Sequence, residues 1–138
     1  MPHMLMDHAV DPKQEILDRL GDISDFDVHH NNVLVAVYKR PEKTKGGIIL
    51  TDKYRDEDDY QSKVGLIVKA GPNAFYDPNG SWDWGAIAVG EWVVFRPSDG
   101  WNITVSGEGG AIGKDAVLCR LIQDTSIRAT VQSPDMVW

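Results

Sequence analysis

The sequence is poor in cysteine, in basic residues and in long hydrophobic runs. Its single cysteine, Cys119, excludes an intramolecular disulfide, so a reducing compartment is the simplest setting. No stretch of about 18 apolar residues occurs, which argues against a membrane-spanning helix. The first ten residues also lack the basic start and the apolar run of a signal peptide. We therefore expect a cytoplasmic protein, or a component of a particle assembled in the cytoplasm.

Acidic residues outnumber basic ones: the chain has 21 Asp and Glu but 14 Lys and Arg, and its formal net charge is −7. Contacts to phosphate groups need lysine and arginine, so this balance argues against nucleic acid and anionic membranes as partners. Hydrophobic residues make up 42% of the 138 residues, which is enough for one domain with an apolar core.

Residue patterns for catalysis, metal binding and nucleotide binding are also missing. The glycine-rich stretch before Lys114 has Glu108 where a Walker loop needs its first glycine, and Asp115 where it needs Ser or Thr. The four histidines form no zinc-ligand pattern, and a lone cysteine in a predicted strand is typical of a core residue. We predict a binding or structural protein and not an enzyme, with no cofactor and no metal ion.

What the sequence does contain is one short helix followed by short β-strands. Asp11 is placed to cap a helix that starts at Pro12 and ends at Gly21, and Gln14 stands where a capping box wants it. About ten residues are too few for a stable isolated helix, so it must pack on its own domain or on a partner. The apolar stripe available for this contact consists of Ile16, Leu17 and Leu20.

Six apolar runs of strand length follow, separated by turn clusters rich in Gly, Pro, Asn and Asp. Short strands with frequent turns predict an all-β fold, a small barrel or sandwich. Trp92 and Trp101 fall in or beside these strands and are predicted to be core residues, whereas Trp138 is a candidate anchor onto a neighbour. The runs cover residues 33–38, 63–71, 89–97, 101–107, 116–122 and 127–131.

The connection between the first two strands is unusual for a compact domain. Its apolar triplet, residues 48–50, follows two glycines and precedes a polar, acidic tract. Taken alone, the triplet is either part of a buried strand or a group held out for a partner.

Several stretches of the chain, in this order, resemble the GroES-type co-chaperonins, the 10-kDa chaperonins, and most of all phage-encoded versions. The first matches that family's first strand and mobile loop, with the loop signature Gly-Gly-apolar-apolar-Leu-Thr at residues 46–51. A later one matches its Val-Gly-Asp-x-Val-x-Phe strand, with Glu91 in place of the aspartate. The matching stretches are residues 31–52, 61–75, 89–95 and 116–131.

This resemblance implies a small irregular GroES-like β-barrel at residues 32–131, with a mobile loop at 42–61 and a roof-like insertion at 73–88. Seven such subunits would form a ring whose loops bind a GroEL-type chaperonin, and ATP would be bound by that chaperonin. The implied chaperonin-binding residues are Gly46, Gly47, Ile48, Ile49, Leu50 and Thr51, and the implied roof or contact residues are Phe75, Tyr76, Trp82 and Trp84.

The chain departs from the family at both ends. About 31 residues precede the first family strand, where family members have only a few, and the tail at 132–138 follows the last strand. The N-terminal arm at 1–31 and this tail would either block the joining of neighbouring subunits or replace it.

Two other functions stay open at this point. The arm, the tail and the acidic surface would also suit a decoration or cement protein of a tailed-phage virion, whose partner is the major capsid protein. A carbohydrate-binding module using Trp82 and Trp84 has less support, because no polar ligand set accompanies the two rings.

Overall fold

The computed structural model describes residues 11–39, 62–76, 79, 87–107 and 116–137 of the chain. One helix precedes six strands in these residues, and two 3-10 turns follow the last two strands. Helix α1 is Pro12–Leu20, and the strands are β1 Asn32–Val37, β2 Val64–Ala70, β3 Trp92–Val94, β4 Trp101–Val105, β5 Val117–Gln123 and β6 Ala129–Val131. The turns are Asp124–Ser126 and Pro134–Met136.

The six strands form one antiparallel sheet in the order β4-β5-β1-β2-β3-β6. Strand β1 lies near the middle, paired with β5 on one side and with β2 on the other. Its β-branched and aliphatic residues suit a strand that is covered on both faces. The all-β fold predicted from the spacing of strands and turns is confirmed.

Apolar side chains pack against both faces of the sheet, because successive residues of a strand point to opposite sides. One face carries Leu34 and Ala36 from β1, and the other carries Val33 and Val35. The first cluster continues through Tyr38, Val64, Leu66, Val68, Trp92, Val105, Val117 and Cys119, and the second through Ile67, Val93, Phe95, Ile122 and Ile127.

Helix α1 packs on the first face of its own sheet. Leu20 is only 1% exposed, and its carbonyl accepts a hydrogen bond of 2.7 Å from the backbone N–H of Gly107. Arg19 also donates from Nη2 to the carbonyl oxygen of Ala116 at 3.4 Å. Leu17, in contrast, remains 40% exposed, so the apolar stripe is buried mainly at its C-terminal end. In the described ranges no helix is long and apolar enough to cross a bilayer.

The predicted capping box at the start of α1 is wrong. Asp11 occupies the N-cap position, but its side chain accepts no capping hydrogen bond. The Gln14 amide donates instead to Asp18 Oδ1 at 2.8 Å, because residues four apart on an exposed helix face are neighbours. The predicted stop is confirmed, since Gly21 ends the helix with φ of 67°.

The two tryptophans predicted to lie in the core differ. Trp92 on β3 is 5% exposed and belongs to the first cluster, as predicted. The prediction for Trp101 is wrong, because this side chain is 76% exposed. Trp101 is the first residue of β4 and pairs with Leu121 of β5, and among the described strands β4 has a neighbour on one side alone.

Candidate functional site

The predicted chaperonin-binding residues 46–51 lie outside the described residues, but the place where their segment joins the sheet is described. Residues 40–61 connect Lys39, after β1, to Ser62, before β2. Val37 pairs with Gly65 across these strands, and the Tyr38 N–H donates to the Val64 carbonyl at 3.1 Å. The segment therefore leaves and re-enters the sheet at one point.

Tyr38 stands at this point and contacts two other parts of the chain. Its ring is buried and meets Trp92 edge-on, with ring centroids 5.8 Å apart and an interplanar angle of 80°. Its hydroxyl donates to Asp135 Oδ1 at 2.8 Å. Sequence reasoning missed this contact, because 97 positions separate the two residues and no local pattern links them.

The C-terminal tail packs on its own sheet near Tyr38. The Ser133 side chain accepts a hydrogen bond of 3.3 Å from the Asp135 N–H and so starts the turn Pro134–Met136. Pro134 is buried, and Val137 packs against the apolar cluster that contains Tyr38. Trp138, predicted as an anchor onto a neighbour, lies outside the described residues.

Two of the four predicted roof residues are described, and they occupy different environments. Phe75 is half-buried and packs with Ile87 against the second apolar cluster. Tyr76, the next residue, is 67% exposed. Trp82 and Trp84 lie outside the described residues, so the role of the four as a contact surface stays a prediction.

A buried carboxylate fixes the point where the roof-like insertion leaves the sheet. Asp124 is 4% exposed, and its Oδ2 accepts a 3.0 Å hydrogen bond from the backbone N–H of Phe75. Its Oδ1 accepts from the Asn31 side-chain amide, also at 3.0 Å. Phe75 has φ of 60°, a left-handed conformation that is unfavourable for an aromatic residue without such support.

The two connections lie at opposite ends of β2. The segment 40–61 precedes the first residue of this strand, and the insertion 73–88 follows its last. The Gly71 N–H donates to the Asn32 carbonyl at 2.8 Å, which places the start of the insertion beside the first residue of β1. A strand of this length separates the two attachment points by about 20 Å, at roughly 3.4 Å per residue.

Charged side chains on the described sheet hold the turn between β3 and β4. Arg120, which is buried under the second face, donates from Nη1 to the carbonyls of Pro97 and Asp99, and its guanidinium lies 5.6 Å from the Phe95 ring centroid. Burial lowers the pKa of Arg120, whereas the charge of Asp99 acts to raise it. Burial acts to raise the pKa of Asp99, but hydrogen bonds from Arg96 outweigh it and leave that pKa below its usual value.

The described residues offer little for catalysis. No three His, Cys, Asp or Glu side chains among them lie close enough together to hold a metal ion. Burial raises the pKa of the Cys119 thiol to about 12, which suppresses the nucleophilic thiolate at neutral pH. What these residues do form is a sheet from which two long connections leave, at opposite ends of β2.

Known proteins with similar sequences share this region of the chain. Residues 26–120 match the family described as Chaperonin 10 Kd subunit (Cpn10), a match that includes both long connections. The co-chaperonin GroES of Rhodobacter capsulatus is 31% identical over 93 residues, which are 67% of this chain and 93% of that protein. The co-chaperonin GroES of Paracoccus denitrificans is 32% identical with the same coverage. That of Methylorubrum populi is 32% identical over 87 residues, 63% of this chain and 85% of that protein.

Proposed function

Because the chain belongs to the 10-kDa chaperonin (Cpn10) family, we propose that it is a co-chaperonin that caps a GroEL-type chaperonin and assists ATP-dependent protein folding. The observation that carries this proposal is the family match, which covers the whole connection between β1 and β2. The two ends of that connection lie side by side, because the end of β1 pairs with the start of β2. Within that connection the proposed grip is the apolar triplet Ile48, Ile49 and Leu50, flanked by Gly46, Gly47 and Thr51. The chaperonin, and not this chain, would bind the ATP.

The energetics favour several grips acting together. Burying three aliphatic side chains contributes about 5–9 kcal/mol, at about 1.5–3 kcal/mol each. Ordering six loop residues costs about 6–12 kcal/mol, at about 1–2 kcal/mol each. A single subunit would therefore bind weakly, whereas several subunits in one ring gain through their high effective concentration. This argument favours a ring without fixing the number of its subunits, and we propose the seven subunits that the resemblance to the family implies.

The positions of the two connections support the same arrangement. A cap needs its grip on the side that meets the chaperonin and its closing surface on the far side. The segment 40–61 and the insertion 73–88 leave opposite ends of β2, as this requires. Tyr76, exposed at the start of the insertion, and Phe75, Trp82 and Trp84 are the proposed roof residues.

The capsid alternative receives no support from the described residues at the two ends of the chain. Helix α1 packs through Leu20 on its own sheet, and the tail packs there through Pro134 and Val137. The described parts of the two extensions, α1 and residues 132–137, thus contact the sheet of their own subunit.

Capture by a purified bacterial GroEL-type double ring, with and without ATP, tests the proposal. We expect nucleotide-dependent capture of the wild type and its loss in Ile49→Asp, because a carboxylate would replace an apolar contact in every subunit. Val89→Asp is the matched control, since Val89 is 58% exposed outside the proposed grip. Capture retained by Ile49→Asp would refute the grip, and no capture of the folded wild type would refute the co-chaperonin function.

A further inference from the structure

The C-terminal tail contacts the root of the proposed chaperonin-binding segment, Tyr38 and Lys39, through a hydrogen bond between Tyr38 and Asp135. Tyr38 is separated from the segment 40–61 by Lys39 alone. Its hydroxyl donates to a carboxylate oxygen of Asp135 at 2.8 Å, and a charged acceptor makes such a bond stronger than a neutral one. Asp135 in the tail is therefore bonded to a residue two positions before the segment begins.

The acceptor is itself held in place by the tail. Ser133 accepts from the Asp135 N–H at 3.3 Å, and Pro134 is buried beside it. On the far side of Asp135, Val137 packs against the first apolar cluster. The carboxylate is thus anchored on both sides along the chain.

The Tyr38 ring is held from the other side by β3. Trp92 meets it edge-on and pairs in register with Leu66 of β2 and with Val131 of β6, the strand that leads into the tail. The contact between the Tyr38 and Trp92 rings and the Tyr38–Asp135 hydrogen bond therefore link the end of β1, the start of β2 and the tail.

We propose that residues 132–137 form an intramolecular latch on the root of the segment 40–61, and that Tyr38 and Asp135 are positioning residues for chaperonin binding. The latch keeps the first residues after β1 aligned with the sheet, so that fewer residues must be ordered when the segment binds. Only this effect on binding rests on the proposed co-chaperonin function. The latch itself is a property of the free chain.

Hydrogen exchange of the Tyr38 backbone amide, which donates to the Val64 carbonyl, measures how firmly the root is closed. Tyr38→Phe removes the hydroxyl and keeps the ring against Trp92, and Asp135→Ala removes the acceptor. We expect each variant to speed exchange at residue 38 by about tenfold. Loss of a hydrogen bond to a charged group lowers the free energy of local opening by enough for a change of this size. Amides of the β1–β5 ladder should not change.

The double variant and a charge control separate the latch from general destabilisation. If both residues act through their shared bond, Tyr38→Phe/Asp135→Ala should exchange no faster than either single variant. Asp25→Ala makes the same change of charge at an exposed position and should leave exchange at residue 38 unaltered. Unchanged exchange in both single variants, or fully additive effects in the double variant, would overturn the latch.

Affinity for the GroEL-type chaperonin, measured in the presence of ATP on the same proteins, tests the effect on binding. We expect both single variants to bind about tenfold more weakly than the wild type and Asp25→Ala to bind equally well. Faster exchange with unchanged affinity would overturn the positioning role. If the wild type does not bind at all, the proposed function fails, and the exchange comparison still decides the latch.

Discussion

Cys119 lies on β5 between the central strand β1 and the edge strand β4, and its thiol is fully buried. Burial raises the pKa of Cys119 to about 12, above its ordinary value of 9.0. We expect iodoacetamide at neutral pH to modify the folded protein only as fast as the sheet opens, because the thiolate forms only after exposure. Mass spectrometry of labelling time courses, with and without denaturant, measures the two rates.

The same shift predicts how stability depends on pH. The folded state keeps the Cys119 proton to a higher pH than the unfolded state, so this group stabilises the fold below about pH 9 and less so above it. Cys119→Ala should remove both the labelling and this part of the alkaline decline. Rapid modification at neutral pH, with an unchanged circular dichroism spectrum, would show that the thiol is not buried in solution.

Residue type alone did not decide which aromatic side chains are buried. Trp92 and Trp101 both occur in runs of strand-like sequence, and both were predicted to be core. Trp92 lies on a strand with a neighbour on each side, whereas Trp101 begins a strand at the edge of the sheet. The order of the strands, which no local pattern contains, makes the difference.

At the scale of elements, the packing of α1 on the sheet should depend on Leu20 much more than on Leu17. Leu20→Ala removes a fully buried side chain and should lower the free energy of unfolding by about 2–5 kcal/mol. Leu17→Ala removes a side chain that is 40% exposed and should cost about 1 kcal/mol or less. Urea denaturation of the two variants beside the wild type measures both values.

The comparison also tests whether the N-terminal helix is part of the folded domain. Equal, small effects of the two leucine substitutions would mean that α1 does not dock on the sheet in solution. The expected inequality would show that the extension before β1 contributes to the core of its own subunit.

At the scale of the whole molecule, net charge should govern assembly. Each subunit carries a formal net charge of −7, so subunits in the proposed seven-membered ring repel one another. Screening shortens the Debye length from about 30 Å at 0.01 M salt to about 10 Å at 0.1 M. We therefore expect the assembled fraction to rise between these salt concentrations at fixed protein concentration.

Mass photometry or light scattering measures this fraction as species of seven times the 15.4-kDa subunit mass. Sucrose in place of salt is the control, because it changes the solvent without screening charge. A fraction that falls as salt is added would mean that ion pairs between subunits outweigh their net repulsion. A single-subunit mass at every salt concentration would contradict the ring.

Much of the fold could be predicted because its signals are local. Strand-length apolar runs bounded by Gly, Pro, Asn and Asp identified β1 to β6, and Gly21 marked the end of α1. These signals act over a few positions, where side-chain alternation and backbone preference are properties of neighbouring residues. The capping box failed at the same scale, because the Gln14 side chain has a competing partner in Asp18.

The sequence by itself determined the all-β character of the described chain, the short helix α1 and the resemblance to the co-chaperonins, because each depends on short runs of neighbouring residues. Only the tertiary structure decided that the tail returns to Tyr38 and that Asp124 supports the left-handed Phe75. Those contacts join residues 97 and 49 positions apart. They exist because strand order and register bring distant segments together, and no spacing along the chain encodes that arrangement.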